Sequence, residues 1–111
     1  MKYCVLNNER DGTGYHEFYR GKWDKQTFWR DDSLYIYDYT LFHIKGFVGA
    51  LKAVVPSYDG YGTTEVSREQ WERIGKTIPN GDQEAQKLYQ EISEWTKEVF
   101  EKHDCFTILG I

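Results

Sequence analysis

The sequence predicts an α+β fold, with an antiparallel or mixed sheet of about four to five strands and three helices packed on it. Two observations carry this prediction. Short aromatic-rich segments separated by turn residues fill the first third of the chain, and apolar residues recur at helical spacing over much of the rest. No linker or change of composition divides the 111 residues, which predicts a single domain.

The strands are predicted first in chain order. Residues 2–6, 14–20, 26–30 and 33–38 are rich in aromatic and β-branched residues and are separated by turn pairs such as Asp11-Gly12 and Asp31-Asp32. Residues 105–111 (CFTILGI) predict a final strand in the same sheet as the first. If Leu34 and Ile36 face the helices, Tyr35 and Tyr37 face outward, because side chains alternate along a strand.

Three helices follow the early strands. Residues 41–55 have helical apolar spacing and end at Pro56. The second helix, 67–76, begins at the capping-box pair Ser67 and Gln70, and Trp71 is expected to pin it to the core. The third, 82–102, has an apolar stripe of Ala85, Leu88, Ile92, Trp95 and Val99.

Composition narrows the classes of function. The net charge of −4 and the pI near 5.3 argue against direct binding of nucleic acid and favour a basic protein partner. No signal-peptide core and no run of eighteen apolar residues is found, so we expect a cytoplasmic protein that makes no membrane contact. In that compartment Cys4 and Cys105, each in an apolar segment, are expected to be buried and reduced.

The residues that usually carry catalysis do not form recognisable motifs. His16, His43 and His103 lack metal-ligand spacing, and no serine lies in a nucleophile motif. The adjacent carboxylates Asp31-Asp32 are better explained as a turn. The sequence therefore predicts no enzyme activity, no catalytic residue, no metal site and no cofactor.

Two segments are candidates for binding a partner. The glycine-jointed loop before Ser67 carries Tyr58, Asp59, Tyr61 and Glu65, a combination of rigid aromatic anchors and carboxylates suited to a protein interface. The alternative is that the two tyrosines only pack over the helix junction. The second candidate is an acidic row on the last helix that would guide a cationic partner: Glu91, Glu94, Glu98 and Glu101. The alternative is that this row is only a solvated face, stabilised by charge pairs within the helix.

The acidic character, the aromatic sheet and the segment 58–74 (YDGYGTTEVSREQWERI) resemble immunity proteins of bacterial polymorphic toxin and contact-dependent growth inhibition systems. That resemblance implies a stoichiometric inhibitor that blocks the active site of a cognate toxin domain, commonly a basic nuclease. Two other classes stay open. A small ligand-binding domain needs a tyrosine-lined pocket with His16 or His43 inside it, and an adaptor needs a self-complementary patch for homodimerisation.

Overall fold

A computed structural model describes all of the residues from Met1 to Ile111. Its sheet has five antiparallel strands in the order β1-β3-β2-β5-β4, which confirms the predicted α+β class. The terminal strands share this sheet but are not neighbours. The strand bounds are β1 Cys4–Val5, β2 Tyr15–Arg20, β3 Leu34–Tyr37, β4 Thr63–Ser67 and β5 Cys105–Leu109.

Four α-helices accompany the sheet: α1 Asp38–His43, α2 Lys45–Val54, α3 Arg68–Thr77 and α4 Gln83–Lys102. The single helix predicted over 41–55 was therefore wrong. Helical backbone begins earlier, at Asp38, and breaks at Ile44, whose φ of −91° and ψ of 75° are not helical. The apolar residues behind that prediction are all buried, because they belong to the one main core cluster of the protein. No helix is both long and apolar enough to span a bilayer.

One face of the sheet forms the main core with the helices. Leu34, Ile36, Val66, Phe106 and Ile108 point into it and are at most 2% exposed. The predicted stripe of α4 packs on the same side, although Trp95 is only partly buried.

Trp71 is buried in this core and holds α3 in place, as predicted. Its ring stacks on Tyr89 with 4.4 Å between centroids and meets Phe106 edge-on at 5.4 Å. The predicted capping box at the start of α3 is also present. The backbone N–H of Gln70 donates to Ser67 Oγ at 3.1 Å, and that of Ser67 donates to Gln70 Oε1 at 2.9 Å.

The loop 21–33 covers the part of the opposite face around Glu17 and Tyr35, and it takes the place of the strand predicted over 26–30. Buried Glu17 explains the difference. Its carboxylate accepts the backbone N–H groups of Trp29 at 2.7 Å and Arg30 at 3.1 Å, together with the Ser33 hydroxyl at 2.6 Å. These amides bond a side chain rather than a neighbouring strand. The Trp29 ring then stacks on Tyr35, so Tyr35 is fully buried and only Tyr37 faces outward as predicted.

The final edge of the sheet was missed by the sequence analysis. Thr63–Ser67, expected to be loop leading into a helix, forms the edge strand β4 and pairs along its whole length with β5. Cys105 lies at the end of this pairing opposite Ser67 and is half-buried, whereas Cys4 is buried as predicted. Both thiols are free. Burial, reinforced by the neighbouring Glu91 carboxylate, raises the pKa of the Cys4 thiol far above its ordinary value.

Candidate functional site

An open cavity of about 410 Å³ lies where α1, the end of α2 and the loop 58–61 meet. We call it the α1–loop cavity. Its charged residues come from all three segments, and its aromatic residues form the walls. It is lined by Asp38, Phe42, Lys52, Tyr58, Asp59, Gly60 and Tyr61.

Backbone hydrogen bonds hold the loop in shape. The N–H of Gly62 donates to the Asp59 carbonyl at 3.1 Å, and the C-terminal residues Gly110 and Ile111 donate to the carbonyls of Gly62 and Gly60 at 2.7 and 3.1 Å. The Asp59 side chain closes a further turn, because its Oδ1 accepts the N–H of Tyr61 at 2.9 Å. The loop is therefore tied both to itself and to the end of the chain.

The two tyrosines of this loop have different environments. Tyr61 is 87% exposed, as a display role requires. Tyr58 is only 8% exposed and belongs to the main core, so the prediction that it is displayed was wrong. The cause is local: its N–H bonds the carbonyl of Val55, which turns the chain back onto the end of α2.

The Tyr58 hydroxyl has an unusual position. It is buried, makes no hydrogen bond within the protein, and belongs to a residue that lines the cavity. Burial raises its pKa to about 12, with smaller contributions from the Asp38 and Asp59 carboxylates. A phenol in this environment stays neutral and keeps one unused donor and one unused acceptor.

His16 lies beneath the same cavity. Its Nε2 is 2.6 Å from Asp38 Oδ1, and its ring meets Phe42 edge-on at 5.5 Å. The pair resembles the orienting half of a catalytic triad, but Nδ1 makes no hydrogen bond, and the side chain is completely buried. A substrate has no access to this imidazole, so its direct effect is to hold Asp38 in place. The absence of enzyme activity stays a prediction.

The other two histidines lie elsewhere. His43 is exposed and stacks on Tyr39 with 4.9 Å between centroids. His103 is exposed near Gly21, where an added Cβ would lie 2.6 Å from its Nδ1. Neither lines the α1–loop cavity.

The remaining predicted site residues do not join this cavity. Glu65 is exposed on β4 and lines a separate depression with Lys22, Lys102 and His103. The acidic row of α4 is also separate, and its members differ. Glu94, Glu98 and Glu101 are exposed, as a surface role requires.

Glu91 has a structural position, which corrects its assignment to a partner-facing row. Its carboxylate accepts the backbone N–H groups of Lys2, Tyr3 and Cys4 at 3.0, 2.9 and 2.7 Å. These bonds tie the first strand to α4. A carboxylate with three backbone donors is already satisfied, so little of its hydrogen-bonding capacity remains for a partner.

A second groove, of about 390 Å³, runs between α3 and α4. It exposes one side of the Trp71–Tyr89 stack and includes Glu94 from the acidic row. No side-chain atom in this groove is buried without a hydrogen-bond partner. We therefore regard it as the junction of two packed helices rather than as the primary site.

The sequence did not identify the three cavity residues that lie outside the loop: Asp38, Phe42 and Lys52. Asp38 was assigned to a strand end, and the other two to one continuous helix. The available signal was the acidic residue Asp38 directly after the aromatic strand 34–37, which is a common start for a helix. This signal predicts the start of α1, but it does not predict that α1 lies next to a loop twenty residues further along the chain.

Comparisons with profiles of known protein families, with curated proteins and with solved structures found no significant match to this chain. Within the chain, the α1–loop cavity is the place where an unpaired polar group and exposed aromatic rings occur together.

Proposed function

We propose that this protein is an immunity protein that binds a cognate bacterial toxin domain and neutralises it by covering its active site. The observation that carries the proposal is the exposed Tyr61, next to carboxylates that line the α1–loop cavity. Tyr39 and Phe42 on α1 extend this surface, being 66% and 38% exposed. Aromatic rings of this kind are enriched at the centres of protein interfaces.

The hydrogen bonds of the loop support a binding role. A segment that is ordered before association loses less conformational entropy when the partner docks, so a larger share of its contact energy appears as affinity. The loop 58–62 has such order from Asp59, Gly110 and Ile111. This is the arrangement expected of an inhibitor that presents fixed anchors to a cleft.

Charge supports a basic partner. The chain carries −4 overall, and the exposed acids Glu94, Glu98 and Glu101 lie in one row on α4. A nuclease toxin that binds nucleic acid presents a cationic cleft. Attraction between these surfaces raises the rate of encounter, while the desolvated contacts of Tyr61 and Asp59 determine the lifetime of the complex.

The test is co-expression with the toxin domains encoded by the genes that flank the gene of this protein in its genome. We expect a stoichiometric complex on purification and protection of the host from growth arrest. Tyr61→Ala should weaken this complex by about 2 kcal/mol, or roughly 30-fold, without unfolding the domain. Phe28→Ala is the matched control, because Phe28 is also an exposed aromatic residue, at 57%, but lies in the loop 21–33. No protection by the unaltered protein would contradict the proposal.

A second candidate function follows from the cavity itself. A small-molecule binding domain needs a concave site with a few convergent polar groups, and the unpaired Tyr58 hydroxyl in a cavity of about 410 Å³ favours such a site. The free edge of β4 similarly favours a homodimeric adaptor. A monomer that protects cells from the toxin excludes the adaptor, and retention of a small molecule after gentle purification would favour the ligand binder.

A further inference from the structure

We propose that the α1–loop cavity receives the guanidinium group of an arginine side chain presented by the partner. The identity of that partner rests on the immunity function proposed above, whereas the chemistry of the cavity follows from its own atoms. Three features point to a planar cation: two carboxylates with unused oxygens, a buried hydroxyl without a partner, and aromatic walls.

The carboxylates are those of Asp38 and Asp59. Each has one oxygen already fixed, since Oδ1 of Asp38 bonds His16 Nε2 and Oδ1 of Asp59 accepts the N–H of Tyr61. Oδ2 of each makes no hydrogen bond within the protein. The side chains are thus oriented while half of their acceptor capacity is free. The one cation on the cavity wall, Lys52, leaves an excess of negative charge there.

The Tyr58 hydroxyl supplies the buried acceptor. Its residue is 8% exposed and lines the cavity, and the hydroxyl lacks any hydrogen bond in the free protein. An unsatisfied buried polar group costs free energy that a suitable ligand restores. A guanidinium N–H that reaches the phenol oxygen gives the hydroxyl the hydrogen bond that it lacks in the free protein.

The aromatic walls favour arginine over lysine. Phe42 and Tyr61 line the cavity, and a guanidinium is weakly hydrated, planar and able to stack on such rings. Its five donors also allow bonds to more than one acceptor at once, whereas an ammonium is a compact and strongly hydrated charge. The same pairing occurs elsewhere in this chain, where the guanidinium carbon of Arg10 lies 3.8 Å from the centroid of Trp29.

The experiment is an NMR titration of the isotope-labelled protein with N-acetyl-arginine amide at fixed ionic strength. We expect saturable shifts of the backbone amides of 38–42 and 59–62. The lysine analogue should bind at least about fivefold more weakly, and the uncharged citrulline analogue more weakly still. Equal responses to arginine and citrulline, or shifts confined to α4, would overturn the proposal.

Isosteric variants make the test specific. Asp38→Asn and Asp59→Asn keep the acceptors for His16 and the Tyr61 amide but remove the charge, and each should weaken arginine-amide binding at least about fivefold. Tyr58→Phe should weaken it about threefold and leave the fold intact. Glu69→Gln, an exposed acid at the start of α3, is the control and should change nothing. Unchanged binding in Asp59→Asn would refute the site even if Asp38→Asn failed to fold.

The two proposals fail separately. If the protein binds the arginine amide but protects cells from no toxin, the immunity function is refuted and the proposed arginine site is retained. A toxin complex whose affinity is unaffected by the double variant Asp38→Asn, Asp59→Asn would refute the arginine site and leave the immunity function standing.

Discussion

Tyr58 carries a buried hydroxyl group that makes no hydrogen bond within the protein. Its ring packs with the apolar cluster, but its hydroxyl has no partner. Tyr58→Phe keeps the ring and removes the unsatisfied group, so we expect the free energy of unfolding at neutral pH to rise by about 1 kcal/mol. Urea denaturation followed by circular dichroism measures this. A loss of stability instead would mean that the hydroxyl is satisfied in solution.

The same variant predicts a difference at alkaline pH. The pKa of Tyr58 is raised to about 12 in the folded protein, against about 10 in an unfolded chain. Because the unfolded chain ionises first, the wild-type protein keeps its full stability below pH ~10, and the titration of Tyr58 lowers that stability as the pH rises toward 12. We expect the wild-type protein to lose more stability than Tyr58→Phe over this range. Parallel curves for the two proteins would exclude a raised pKa at this position.

At the scale of elements, β1 is too short to hold itself in place. It has two residues and one neighbour, β3, and Glu91 of α4 accepts the N–H groups of Cys4 in the strand and of Lys2 and Tyr3 just before it. Glu91→Gln removes the negative charge and replaces one acceptor oxygen by an NH₂ group, which cannot accept the backbone N–H groups. We expect a loss of about 2 kcal/mol in stability and faster hydrogen exchange at Tyr3 and Cys4.

Glu94→Gln is the control for this prediction. Glu94 lies on the same helix but is exposed, so its substitution should change stability by less than about 0.5 kcal/mol. Equal effects at the two positions would mean that Glu91 does not anchor β1.

Replacing glycine by alanine should change stability in opposite directions at two helical positions, Gly49 and Gly75. Alanine is favoured over glycine in a helix by about 1 kcal/mol. At Gly49 of α2 an added Cβ meets nothing within 4 Å, so Gly49→Ala should stabilise the protein by roughly that amount. At Gly75 of α3 the Cβ would lie 2.4 Å from the Tyr89 ring. That ring is held by its stack on Trp71 and by a 2.9 Å hydrogen bond to the Trp71 carbonyl.

We therefore expect Gly75→Ala to destabilise the protein by about 1–3 kcal/mol, because displacing Tyr89 disrupts its stack on Trp71 and its hydrogen bond, and this cost outweighs the gain in helix propensity. Thermal unfolding of the two variants side by side provides the measurement. Stabilisation by Gly75→Ala would show that Tyr89 moves aside freely.

The elements that the sequence predicted correctly have local causes. The capping box at Ser67 and the stripe of α4 need only residues three or four positions apart. The elements that it missed depend on distant partners. β4 exists because β5, forty residues later, pairs with it, and the segment 26–30 is not a strand because Glu17 takes its amides. The candidate site follows the same rule: Tyr61 and Asp59 were identified locally, but Asp38 reaches them only through the fold.

At the scale of the whole molecule, the aromatic site and the acidic row are separate surfaces, since no glutamate of α4 lines the α1–loop cavity. Separation permits a division of roles in the proposed complex. Exposed charges act over several ångströms before contact and are screened by salt, whereas desolvated contacts act after docking. The acidic row should therefore influence how fast the partner arrives rather than how long it stays.

The last prediction tests this division with a variant in which Glu94 and Glu101 become lysine and Glu98 becomes glutamine. Neutralisation is chosen at Glu98 because Arg20 lies 3.7 Å from its carboxylate, and a lysine there would repel it. If α4 guides a basic toxin, association at low salt should slow by about tenfold, the difference should fade at high salt, and dissociation should be unchanged. Stopped-flow or biosensor kinetics measure both rates.

The control is Glu69→Lys, Glu84→Lys with Glu72→Gln, which changes the net charge equally on exposed positions outside the row. Equal slowing by the two variants would assign the effect to net charge alone, and faster dissociation in the first would place the acidic row inside the interface.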